Sequence, residues 1–268
     1  MGRIGAINLF ILTSFFLTGC VTVGNKRYLE ANTTYEQKLI SVEEEYKFGH
    51  YVDAYIQNEY TVLDDFPYKD RVEDIFYKIA KNSDRPNLKY TLRILNSTDV
   101  NAFAGPGGYV YITTGLLDVI KSKDELAGVF AHEIGHICSR HIIKQFYGVE
   151  TTKAILTILT ASVAATSGDM DVANGISDLG TMVAIVSLQG YSRSDELQAD
   201  SLAVKYTKKS GYNPLALIDL LRRMEEKREE ETGRKHIYTI LSSHPPTEIR
   251  AENIRKQLEF IRSGGLND

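Results

Sequence analysis

Residues 131–141 read AHEIGHICSRH, and no other stretch restricts the fold so tightly: three histidines and a glutamate sit within eleven positions of a run with helical apolar spacing. On an α-helix successive residues turn by about 100°. His132 and His136 therefore differ by about 40° around the axis and can meet one ion, whereas Glu133 is turned by about 100° from His132. The stretch is either a metal site or the polar trim of a buried helix, and the rest of the chain has to distinguish the two.

The histidine spacing suits zinc. Glu133 lies off the ligand face, where its carboxylate can reach a water at the metal without being a ligand, the general-base geometry of H-E-x-x-H peptidases. Such a site needs a third ligand. His141 is a poor candidate, turned about 180° from His132, and a structural hydrogen bond suits it better. Cys138 is also rotated away and reads as a small buried apolar residue. The longer metzincin pattern fails, with Ser139 in place of its glycine and Ile142 in place of its third histidine. SDELQAD at 194–200 is the better source, because Glu196 and Asp200 share one face of a helix that also has an apolar side. Glu196 can close the site, and Asp200, one turn on, can accept the N–H of a ligating histidine and fix its tautomer. Asp195 is the neighbouring alternative to Glu196.

Composition excludes other classes. The 268 residues are 43% hydrophobic and 25% charged with a formal net charge of −4, and no block of like charges offers a phosphate-neutralising surface, so no nucleic-acid partner is expected. Residues 1–19 pair a weakly basic start with an apolar run too short to span a bilayer, the pattern of an export signal. LTGC at 17–20 resembles a bacterial lipoprotein box, which makes Cys20 the lipidated first residue of the mature chain and places the protein at a membrane through acyl chains. The other cysteine is Cys138, so lipidation of Cys20 precludes an intramolecular disulfide.

After a linker over 20–32, one domain is expected over 33–268. Two or three helices precede residue 81, broken near Phe66-Pro67. YTLRIL (90–95) and YVYIT (109–113) alternate as strands on either side of a Gly-Pro-Gly-Gly break. Ser122 and Glu125 form a capping box for a helix expected from Lys123 to about Gln145. The apolar runs 154–166 and 176–188 are shorter than the roughly 20 residues of a spanning helix and read as buried helices or a hydrophobic lid. Further helices begin in SDELQAD, ending at Gly211, after Pro214, and in TEIRAENIRKQLEFIR.

HEIGH, SDELQAD, NAFAGPGGYVYITTGLL, GYNPLALIDLL and SSHPPTEIR together resemble the zinc peptidase family that includes the CAAX prenyl endopeptidase, HtpX and envelope proteases such as BepA and LoiP. The resemblance covers nearly all of the mature chain in order. It implies an α+β, mainly helical, gluzincin-like domain with a small sheet beside the motif helix. It also implies one zinc per chain on His132, His136 and Glu196, with Glu133 as the base. For His244, in the stiff loop SSHPP, family position implies a role in the cleft, steadying an oxyanion or reversibly capping the zinc. The strand bearing Tyr109, Val110 and Tyr111 is expected to offer an edge to an extended substrate. The expected function is that of a lipid-anchored endopeptidase facing the periplasm, at the outer membrane if the source is Gram-negative, clearing unfolded or misassembled envelope proteins. The competing expectation is an assembly factor or chaperone that binds clients in the same cleft with rare or latent cleavage. Gly105 stands where many relatives have a larger apolar residue, and the chain closes without the C-terminal helical repeats of BepA. Oligomeric state and cleavage preference stay open.

Overall fold

The computed structural model describes residues 40–147, 190–230, 240, 244 and 248–264, all within the unit Lys38–Asp268. The leader 1–19, Cys20, the 20–32 linker and the apolar runs 154–166 and 176–188 lie outside the described residues. Among the described residues, no helix is long and apolar enough to cross a membrane.

Helix α1 (Val42–Glu59) starts at a full capping box: Ser41 Oγ accepts from the Glu44 amide and Glu44 Oε2 accepts from the Ser41 amide. It buries Phe48, Val52 and Ile56, spaced four apart, on one face. Helix α2 (Lys69–Lys81) follows the Phe66-Pro67 break and buries Val72, Ile75, Phe76 and Ile79.

The sheet has three strands, β1 (Thr91–Leu95), β2 (Ala102–Ala104) and β3 (Tyr109–Thr113), in the order β1-β3-β2. β1 runs parallel to β3 and β2 antiparallel to it. β3 is thus the central strand, so Tyr109, Val110 and Tyr111 cannot offer an edge to a substrate. The reason is a tight return: Gly107 at φ 72° and Gly108 at φ 92° adopt left-handed backbone open to glycine. That turn folds Ala102–Ala104 back onto β3. Gly105 N–H donates to Tyr109 O, and Thr113 N–H donates to Asn101 O. With those residues facing β3, the peptide groups of Ala102 and Ala104 point to the other side. Among the described residues, no strand pairs with that outer edge, and Ile240 N–H donates to Val100 O just beyond it.

The short helix α3 (Thr114–Val119) leads to α4 (Lys123–Cys138), which is buried along nearly its whole length. Its capping box is only half made. Ser122 Oγ accepts from the Glu125 amide, but the Glu125 carboxylate is held by the Lys121 amide and by Arg223. α4 also ends seven residues earlier than its apolar period predicts, because Arg140 is left-handed at φ 53° and a separate helix α5 (His141–Tyr147) follows. Buried Glu45 fixes the break: its carboxylate takes two bonds from Arg85 and lies 3.1 Å from Arg140 Nε. Arg85 also donates to Ile137 O at the end of α4.

Helices α6 (Arg193–Lys209), α7 (Ala216–Glu230) and α8 (Glu248–Arg262) complete the described fold. α4 packs against α2, α6 and α7, and β2 packs on it as well. The result is mainly helical with a small sheet beside the motif helix. The α4–α6 approach depends on Gly135, where a Cβ would lie 3.0 Å from Ala199 O. A larger residue there would separate the two helices whose side chains form the site.

Candidate metal centre

α4 carries His132 and His136 inward, with 3.0 Å between their Nε2 atoms. Hydrogen bonds behind the rings fix their tautomers. His132 Nδ1 lies 3.1 Å from Asp200 Oδ1, so its N–H is spent on that carboxylate. His141 Nε2 donates to Gln198 Oε1 at 3.0 Å, which leaves His141 Nδ1 as the acceptor for His136 Nδ1–H at 2.8 Å. The Nε2 atoms of both rings therefore face one point, where a bound metal would displace any proton that His132 carries. Asp200 and His141 lie on different elements, α6 and α5, yet both serve the same histidine pair.

Glu196 enters from α6, with Oε2 3.4 Å from His132 Nε2 and Oε1 3.4 Å from His136 Nε2. His244 adds its Nδ1 at 3.2 Å from His132 Nε2 and 2.8 Å from Glu196 Oε1. One donor atom from each of these residues lies within 4.8 Å of all the others, and all four residues are buried. A tetrahedral zinc with ligands at about 2.0–2.1 Å sets its donors roughly 3.3–3.4 Å apart, close to the spacings found here. Charge agrees with geometry. Among the described residues, the carboxylates of Glu133, Glu196 and Asp200 are buried against one permanent cation, Arg250, a deficit that a divalent metal would match.

Proton equilibria reflect the same demand for positive charge. Burial is the largest influence on His132 and opposes its charge, but Asp200 and Glu196 outweigh it and lift the pKa to about 9. Burial pushes His136 well below the usual imidazole value and His141 down to about 4. Burial alone would raise Glu196, but His244 and His132 hold it far below the carboxylate range. Asp200 is likewise held down against burial, chiefly by Arg250.

Glu133 stands beside the donors without joining them. Its Oε1 lies 3.7 Å from His244 Nε2, and its Oε2 is buried with no hydrogen-bond partner among the described residues. Asp195 is outside the cluster, because its Oδ2 accepts from the N-cap hydroxyl of Ser192 at 2.6 Å. Cys138 Sγ turns toward the Tyr90 hydroxyl, 3.6 Å away. His50 is exposed near the Tyr109 hydroxyl, and His236 is outside the described residues.

Sequence reasoning missed two members of the site. Arg250, in the first turn of α8, donates twice to Asp200 at 2.7 and 2.8 Å and to His244 O at 3.0 Å, and its Nη1 lies 3.1 Å from Glu196 Oε2. Its signal was its place six residues after His244 in SSHPPTEIR. Tyr191, just before the N-cap of α6, stacks on His136 with ring centroids 3.9 Å apart and planes 20° apart. Burial and the nearby charges of Glu133 and Glu196 push its phenol well above the usual value, so the hydroxyl keeps its proton. Beside Glu133, Val129, Leu217, Leu221 and Ile240 form the apolar wall of a small pocket.

Two imidazoles from one helix, a carboxylate from another and a non-ligating glutamate next to the first histidine make the donor set of mononuclear metallopeptidase centres. The sequence profile of peptidase family M48 matches residues 68–258, more than half of the chain. The chain is similar to the metalloprotease YcaL of Escherichia coli strain K12, at 29% identity over 71% of this chain and 70% of the relative. It is also similar to the beta-barrel assembly-enhancing protease of the same strain, at 21% identity over 83% of this chain and 45% of the relative. The mitochondrial metalloendopeptidase OMA1 of Schizosaccharomyces pombe matches at 26% identity over 70% of this chain and 52% of the relative. The chain thus spans about half the length of the last two. It belongs to peptidase family M48.

Proposed function

We propose that the chain is a zinc-dependent endopeptidase, anchored by a lipid on Cys20 in the bacterial cell envelope, that hydrolyses unfolded or misassembled envelope proteins. One observation carries the chemistry: the donors of His132, His136 and Glu196 converge while Glu133 keeps beside them a buried oxygen with no hydrogen bond among the described residues. A zinc ion held there would supply Lewis acidity, polarising a carbonyl oxygen and making water more acidic. Glu133 takes the proton of the attacking water and delivers it to the leaving amine. Asp200 and His141 hold the two imidazoles with their Nε2 lone pairs forward, and Arg250 holds Asp200.

The substrate class follows from the surroundings. The outer edge of β2 lies on the side of the sheet away from β3, and backbone pairing there would read extended shape more than sequence. Such pairing favours unfolded chains. The envelope setting rests on LTGC at 17–20 and on the likeness to the protease named for beta-barrel assembly.

His244 supports latency. With its Nδ1 in reach of His132 and Glu196, it would serve as a fourth ligand to a bound zinc, and its departure would admit water and substrate. The assembly-factor reading, with clients bound and cleaved rarely, shares this feature.

The test is digestion of casein by the purified protein. Cleavage should stop with a chelator and return with added zinc. Intact casein after long incubation with zinc-loaded protein, both for the parent and for His244→Ala, would overturn the endopeptidase reading.

A further inference from the structure

Five buried polar atoms around the centre make no hydrogen bond to any described residue: His132 Nδ1 and Glu196 Oε2, which lie 3.1 Å from Asp200 and from Arg250, and Glu133 Oε2, His244 Nε2 and the Tyr191 hydroxyl. Unpaired buried polar groups are destabilising and call for an explanation where they cluster. Glu133 and His244 already have roles in the functional reading. Tyr191 has none, and its position is not that of a simple core aromatic. Its ring covers the face of His136, with its centroid 5.8 Å from those of both His141 and His244. The residue keeps part of its surface exposed, yet its hydroxyl is shielded from solvent. A structural tyrosine shields its ring and lets its hydroxyl find water or a partner. Here the hydroxyl is the shielded part, near enough to Glu133 and Glu196 to feel their charge.

We propose that Tyr191 is a catalytic residue whose hydroxyl donates a hydrogen bond to the oxyanion that forms at the scissile carbonyl. The proposal rests on the endopeptidase reading above. In the step concerned, water oxygen bonds to the carbonyl carbon, and the carbon–oxygen π pair moves onto the carbonyl oxygen. Glu133 receives the proton of the water. The Tyr191 O–H points its dipole at the new negative charge without giving up its proton. When the carbon–nitrogen bond breaks, the pair returns to the carbonyl, and the amine leaves with the proton from Glu133. Atoms and charges balance, and the phenol ends as it began. A donor of this kind acts mainly on the charge of the transition state, so its loss should appear in kcat more than in KM.

The placement also gives a reason for a tyrosine just before the N-cap of α6. Stacking on His136 fixes the ring plane, and the adjacent N-cap, Ser192, ties residue 191 to the helix that carries Glu196. The hydroxyl is thereby positioned relative to both metal-bearing helices.

The test compares the zinc-loaded full chain with Tyr191→Phe, which keeps the stacked ring and deletes only the hydroxyl. Zinc content by elemental analysis should be equal. On a casein-derived peptide, kcat should fall roughly ten- to a thousandfold with KM within about twofold. A phosphinic peptide, whose tetrahedral anion mimics the oxyanion, should bind the variant at least about tenfold more weakly by calorimetry, while the corresponding uncleaved peptide binds both to Glu133→Gln and to Glu133→Gln/Tyr191→Phe alike. Equal kcat and equal phosphinic affinity in parent and Tyr191→Phe would overturn the proposal and leave the endopeptidase reading intact, reducing Tyr191 to a support for His136. Loss of zinc from Tyr191→Phe would also overturn it. A parent that neither cleaves nor binds the phosphinic peptide sinks both readings together.

Discussion

Arg250 grips Asp200 through two hydrogen bonds, Nε to Oδ2 at 2.8 Å and Nη2 to Oδ1 at 2.7 Å, while the same Oδ1 lies 3.1 Å from His132 Nδ1. The orientation of the first histidine thus depends on a residue of α8, 118 positions later in the chain. Substituting Arg250→Met keeps volume and removes the charge that compensates buried Asp200 and Glu196. Breaking a buried pair in this way costs about 3–5 kcal/mol, so the urea midpoint should fall sharply. An unchanged midpoint would mean that Arg250 is not what holds the two carboxylates.

His141 gives a subtler outcome. Changing His141→Phe keeps a ring in place and removes the acceptor that fixes His136 as an Nε2 donor. Support bonds of this type are worth about 10–100-fold in metal affinity, and competition with a chromophoric chelator should show a loss in that range. If the zinc affinity of the variant equals that of the parent, the hydrogen bond between His136 and His141 does not govern the ligand tautomer.

Gly135 tests the close crossing of α4 and α6. A Cβ would already stand 3.0 Å from Ala199 O, and the two further methyls of Gly135→Val have to force the helices apart. Overpacking typically costs about 1–3 kcal/mol. The variant should melt earlier and hold less zinc, because Glu196 moves away with α6. Full zinc content in a destabilised variant would separate helix spacing from ligand assembly.

For His244, the fourth-donor position predicts release on removal. His244→Ala should cleave casein faster than the parent. A drop of roughly ten- to a thousandfold would instead assign His244 to oxyanion stabilisation.

How far these features were legible in the sequence depends on how local their causes are. His132, Glu133 and His136 follow from helical period alone, and Glu196 with Asp200 from a four-residue spacing, since each set lies on one helix. β1 and β3 were legible because five alternating residues carry a clear pattern. β2 was not: three residues, Ala102–Ala104, are too few to alternate visibly, and their pairing is decided by the turn at Gly107 and Gly108. That one omission turned β3 from a central strand into an expected edge. The end of α4 was also hidden, because Ile142 and Ile143 continue the apolar period past the break. What stops the helix is Glu45, almost a hundred residues away, holding Arg140. Arg250 and Tyr191 acquire meaning only when α8 and the start of α6 meet α4, a juxtaposition that no local pattern encodes.

The central claim is that Glu196 is a ligand and Glu133 a base, and zinc stoichiometry measured beside casein cleavage tests it most directly. Glu196→Ala removes a metal bond, so the purified variant should hold well under one zinc per chain and melt earlier, since metal binding adds to folding free energy. Glu133→Gln keeps shape and deletes only the proton acceptor, so zinc should stay near one per chain while cleavage falls by orders of magnitude. Full zinc in Glu196→Ala, or undiminished cleavage by Glu133→Gln, would contradict the account.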